Sequence, residues 1–135
     1  MLPSTPAPSA TPRGAPANQK LLHAFVAREK TGRPVRSFLS GANRIYGIWK
    51  GTALRAGDTV HAVWIAEAWD SQSKEVTVTE GETVAYKPDD DGIFTLLRPE
   101  GGWPLGRYRL EFYVRGQLAE TVRFSIDEDV TVQIR

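Results

Sequence analysis

From Arg107 to Ile126 the chain alternates between apolar and polar residues with a period of two. Tyr108, Leu110, Phe112 and Val114 fall on one parity; Arg107, Arg109, Glu111, Tyr113 and Arg115 fall on the other. Successive side chains of a strand point to opposite faces, and those of a helix do not, so the segment is a strand with one buried face. Gly116-Gln117 makes a short turn, and Val122, Phe124 and Ile126 then alternate against Thr121, Arg123 and Ser125. Two such runs across a tight turn read as an antiparallel hairpin. A chain committed to this hairpin must bury one of its faces against a second layer.

The same period recurs upstream. Leu21–Arg28, Arg44–Trp49, Thr59–Trp69 and Gly92–Leu97 read as strands. Glu75–Thr79 and Glu82–Tyr86 read as two short strands broken at Glu80-Gly81, and the tail Val130–Ile134 reads as an added edge strand. Thr59–Trp69 is apolar on both parities, so it is either central or covered on its outer face. No segment after residue 19 carries helical periodicity. Seven or eight short strands at roughly ten-residue spacing describe an antiparallel β-sandwich over residues 20–135.

Residues 1–19 have a different composition. Five of the nine prolines lie there among Ala, Ser and Thr, with no aromatic residue. Such a segment buries too little apolar surface to offset its chain entropy, and it is expected to be a disordered linker or leader. No secretory signal is visible after Met1, and no apolar run approaches the roughly 18 residues of a membrane helix. The formal net charge is +1. That gives no electrostatic reason to expect nucleic acid. Cysteine is absent, which excludes disulfides, thiolate catalysis and Cys-ligated zinc.

The stretch Gly101-Gly102-Trp103-Pro104-Leu105-Gly106-Arg107-Tyr108, with the hairpin after it, resembles the closing hairpin of bacterial immunoglobulin-like and fibronectin type III-like domains of exported proteins. The resemblance covers about 30 residues. It implies that Tyr108 is a tyrosine-corner residue bonded to upstream backbone, that Gly106 holds the turn, and that Trp64 is the buried core tryptophan. It also implies an extracytoplasmic location, periplasmic or secreted, with a lipid anchor upstream as one alternative. This chain departs from antibody-type domains in lacking the disulfide between the sheets.

Candidate sites are few. His23 and His61 have no metal-ligand spacing, and no nucleophile, phosphate-loop or paired-carboxylate motif is present. Neither a metal nor another cofactor is expected, and neither is catalysis. Asp89-Asp90-Asp91-Gly92 reads as a solvated turn, or less simply as a calcium loop lacking the glutamate at its twelfth position. If Trp64 faces inward, Val63, Ile65 and Trp69 face outward and offer an apolar patch. Trp103 either caps the core end or presents a stacking surface. Tyr113 with Arg107, Arg109, Arg115 and Arg123 makes a basic outer face interrupted by Glu111, read as solvated rather than as a nucleic-acid surface. The expected function is non-enzymatic protein–protein interaction, in adhesion or assembly, with a partner in the cell envelope. A carbohydrate-binding module using Trp69, Trp103 or Tyr113 is the alternative.

Overall fold

In the computed structural model, which describes residues 20–69 and 74–128, the alternating segments are strands stacked in two sheets. The eight strands are β1 (Leu22–Ala27), β2 (Ser37–Leu39), β3 (Arg44–Gly51), β4 (Thr59–Trp69), β5 (Val76–Val84), β6 (Asp91–Leu97), β7 (Gly106–Val114) and β8 (Gln117–Asp127). No helix occurs among the described residues. One sheet has the order β1-β3-β6, and the other the order β2-β8-β7-β4-β5. The expected leader 1–19 and the expected edge strand 130–134 lie outside the described residues.

Two expectations need correction. The two short strands flanking Glu80-Gly81 are one strand, β5, because Gly81 and Glu80 pair in register with Ala62 and Val63 of β4. The pairing is also not wholly antiparallel: β2 runs parallel to β8, with Ser37 opposite Ser125. At three residues, β2 is too short to show a period in the sequence.

The core lies between the sheets and follows the parity seen in the sequence. Tyr108, Leu110, Phe112 and Val114 are at most 1% exposed, and Val60, Ala62 and Trp64 of β4 meet them from the neighbouring strand. Burying side chains of this size contributes about 1.5–3 kcal/mol each. Phe124 is the aromatic hub. Tyr108 stacks on it at 5.4 Å, and Phe38 and Trp64 meet it edge-on at 5.6 and 6.1 Å. The facing sheet supplies Leu22, Val26, Ile45, Trp49 and Leu96. Gly47 of β3 makes room for this packing, since a Cβ there would lie 2.4 Å from Leu110 Cδ2 and 3.2 Å from the Trp64 ring.

Turn chemistry sets the corners. Arg115 and Gly116 both have positive φ, 54° and 76°, between the paired residues Val114 and Gln117. A two-residue hairpin loop with positive φ at both positions matches the right-handed twist of its strands. Arg115 tolerates this conformation while its guanidinium grips Asp58 at 2.6 and 3.0 Å. At the other end of β7, Gly106 has φ 146° and packs directly on the Ala68 carbonyl. The Tyr108 hydroxyl donates to the Pro104 carbonyl, closing the loop that leads into β7.

Candidate functional site: the β5–β6 side

The two long sides of the sandwich differ. On one side, β1 approaches β8, and Glu120 accepts Lys20 at 2.7 Å and faces His23 at 3.8 Å. On the other side, β5 ends one sheet and β6 ends the other. Six of the eight exposed large apolar side chains among the described residues lie there: Val76, Val78 and Val84 in β5, Tyr86 just after it, and Ile93 and Leu97 in β6. Only Leu39 and Leu118 lie elsewhere. The cause is compositional. The alternation of Val and Thr in Val-Thr-Val-Thr-Glu-Gly-Glu-Thr-Val makes a good strand but supplies no large side chain to the core.

An edge of this length, with no further strand beside it among the described residues, is a template for another strand. Its charges qualify that exposure. Glu80 and Glu82 hold the His61 imidazole of β4 at 2.8 and 3.3 Å, and both carboxylates remain more than half exposed. Glu75 sits at the head of the strand and bonds Arg109 at 2.7 Å. Three glutamates along one edge disfavour pairing with a second copy of the same edge and favour a basic partner.

The outer face of the larger sheet carries an ion network, with Arg107 exposed beside it. Arg109 bonds Glu67, Glu75 and Glu111 at 2.7–2.8 Å, and Arg123 reaches Glu67 at 3.4 Å. Arg109 is held protonated, its pKa raised first by Glu75 and then by Glu67. The same bond to Arg109 pulls the Glu75 carboxyl below the usual carboxylate range. Tyr113 donates to Glu111 at 2.8 Å, which raises its pKa. The sequence shows the arginines of β7 but not that the sheet brings Glu67 of β4 and Glu75, just before β5, to Arg109.

The expected aromatic platform is not assembled. Trp103 is 6% exposed, and its indole donates to the Ala42 carbonyl at 2.6 Å. It therefore caps the core end and offers no ring face for stacking. Trp69 is half-buried against the core and donates to the Lys74 carbonyl at 2.9 Å. Trp64 faces inward at 2% exposure. Val63 is half-buried on the outer face. Ile65 shares that face but is only 7% exposed, because it pairs with Arg109 in the middle of the ion network. Tyr113 is half-buried with its hydroxyl already engaged. Trp69, Trp103, Tyr113, Val63 and Ile65 thus form no common exposed patch.

The aspartates of the turn are occupied by backbone. Asp89 accepts the Leu54 amide at 2.9 Å, and Asp90 accepts those of Tyr86 and Asp91 at 2.8 and 3.0 Å. Those amides lower the Asp90 pKa, the Tyr86 bond most strongly. The group acts as turn architecture, and no cluster able to hold a metal ion occurs among the described residues.

No family model matches the chain, and no curated protein matches it. Solved structures that resemble its backbone include a β-glucosidase from Listeria innocua, at 9% identity and a TM-score of 0.45; the alignment covers 82% of this chain and 16% of that one. An alkylpurine DNA glycosylase from Pseudomonas fluorescens, bound to DNA containing an abasic site analog, gives 11% identity and a TM-score of 0.38, over 82% of this chain and 32% of that one. The chain spans less than a third of the length of either. Neither likeness bears on what the chain does.

Proposed function

We propose that residues 20–135 form an immunoglobulin-like sandwich that works as a non-enzymatic protein-binding module, and that β5 is its docking edge. The strand order supports the architectural half. The first strand is split between sheets as β1 and β2, β7 and β8 form the closing hairpin, and β4 carries a buried tryptophan, Trp64. The Tyr108 bond to Pro104 has the form of a tyrosine corner. In antibody-type domains a cysteine follows two residues after that tyrosine. Here Leu110 stands at that position, and its side chain fills the space over Gly47 beside Trp64. Hydrophobic packing thus takes the place of the missing disulfide.

The observation that carries the functional half is the open β5 edge, with its exposed valines and row of glutamates. The partner is an extended segment of another protein that alternates Val or Thr with Lys or Arg. It would add to β5 through main-chain hydrogen bonds, with its cations set against Glu75, Glu80 and Glu82. The extracytoplasmic, envelope-associated setting belongs to the same proposal, with the Pro-rich leader as tether. Protease accessibility in intact and fractionated cells tests it. A carbohydrate-binding role draws no support from the aromatic geometry.

The docking test uses a synthetic strand peptide of alternating Val and Lys, titrated into the isotopically labelled protein. Amide shifts concentrated on residues 76–84 are expected. Glu80→Lys with Glu82→Lys should weaken binding by roughly three- to ten-fold, the worth of two exposed charge pairs. Shifts concentrated elsewhere, or an unchanged affinity in the double variant, sink the proposal.

A further inference from the structure

A second feature lies away from β5, at the end of the sandwich where β1 and β2 finish and β3 begins. An open cleft of about 880 Å³ is bounded there by Arg28, Phe38, Leu39, Asn43, Arg44 and Tyr46. Its size suits a ligand of small-molecule dimensions. Its wall is held in place: Trp103 donates to the Ala42 carbonyl at 2.6 Å, the Ala42 amide donates to Leu39 at 2.9 Å, and the Ser40 amide donates to Asp127 at 2.8 Å. Two features of the lining point to a ligand class. Arg28 and Arg44 are exposed at the cleft, and neither has an acidic partner among the described residues. Arg33, Arg36, Arg55, Arg98 and Arg107 share that lack, so what sets Arg28 and Arg44 apart is that both line one cleft. Beside the two guanidiniums lies the exposed apolar side chain of Leu39, at 51% exposure, while the Tyr46 ring at the cleft is buried at 8%.

We infer that this cleft binds a small amphiphilic anion, whose carboxylate or phosphate head pairs with Arg28 and Arg44 while its apolar body lies over Leu39. Two like charges on the walls of one cleft repel each other, and a bound anion removes that cost. The planar guanidinium fork suits an oxyanion head with two acceptor oxygens. The apolar neighbour excludes water from one side of the pair and strengthens it. This site is independent of the β5 edge.

The test uses 8-anilinonaphthalene-1-sulfonate, which joins an anionic head to apolar rings and brightens when bound. A saturable fluorescence rise is expected in the full chain. Decanoate should displace the probe, whereas decanol and inorganic phosphate at equal concentration should not. Arg28→Gln with Arg44→Gln should weaken probe binding by roughly ten-fold or more, as loss of two charge-assisted contacts requires. Leu39→Asp, at an exposed position that leaves the core intact, supplies an internal counter-charge and should have the same effect. Circular dichroism confirms that each variant is folded. Displacement by decanol as effective as by decanoate would reduce the cleft to apolar surface and overturn the inference. Displacement by phosphate alone would overturn its apolar half. Unchanged probe affinity in both folded variants would overturn it entirely.

Discussion

Gly106→Ala tests whether the entry to β7 is fixed by close backbone contact. Gly106 has φ 146°, and a Cβ there would lie 1.9 Å from the Ala68 carbonyl oxygen and 2.9 Å from the Trp69 Cα. These atoms belong to the backbone of a paired strand, so no side-chain rotation relieves the clash. The strained φ costs about 1–3 kcal/mol for a residue with a Cβ, and the forced displacement of β4 costs about 1–3 kcal/mol more. The sum is roughly 2–6 kcal/mol, which lowers Tm by roughly 8–24 °C in a domain of this size. Gly101→Ala is the control. Its φ is 88°, also unfavourable, but its Cβ would meet no atom within 4 Å. Only the conformational cost remains there, about 1 kcal/mol and roughly 4 °C. Thermal unfolding of both variants, followed by far-ultraviolet circular dichroism, gives the comparison. Equal shifts in the two variants, or a loss under about 4 °C in Gly106→Ala, would refute the contact argument.

Three further outcomes follow from named contacts. Tyr108→Phe leaves the Pro104 carbonyl without its hydroxyl donor and should cost about 1–2 kcal/mol in urea unfolding; an unchanged midpoint removes the corner role. Arg109→Gln leaves Glu67, Glu75 and Glu111 facing one another and should destabilise by roughly 1–2 kcal/mol at neutral pH, with the loss shrinking in acid as Glu75, whose carboxyl Arg109 holds below the usual range, becomes protonated; a deficit independent of pH refutes the network account. The Arg115 hydrogen bond holds the Asp58 carboxyl below the usual range. Its folded pKa is depressed, so its contribution is fully present above the unfolded value of about 4 and is lost as pH falls through the folded value. Arg115→Gln should flatten the acid limb of the stability profile, and an unaltered limb counts against the pair.

Strand period was legible from residues alone. The alternation through β7 and β8 identified the face that became the core, because burial of one face of a pleated strand leaves a period of two in any sequence. The same signal failed at β2, where three residues are too few to carry a period and parallel pairing with β8 does the work. It also misled at Glu80-Gly81, where turn-prone residues sit in mid-strand because β4 supplies a full register of partners. Of the residues first considered for partner contact, Trp103 and Ile65 are buried for reasons that lie far away in sequence: the Ala42 carbonyl and the Arg109 network. The β5 edge carried one readable clue, a Val-Thr-Glu strand with no large side chain.

The sequence by itself determined the all-β character, the inward residues of the long strands and the glycine- and proline-marked corners, since these depend on local sterics and on one-dimensional periodicity. Only the tertiary structure decided which strands end their sheets and which arginines find carboxylates. Edges and ion pairs are set by sheet order and strand register, and these bring together residues as distant as Arg109 and Glu67, or Arg28 and Arg44, through contacts that no local pattern encodes.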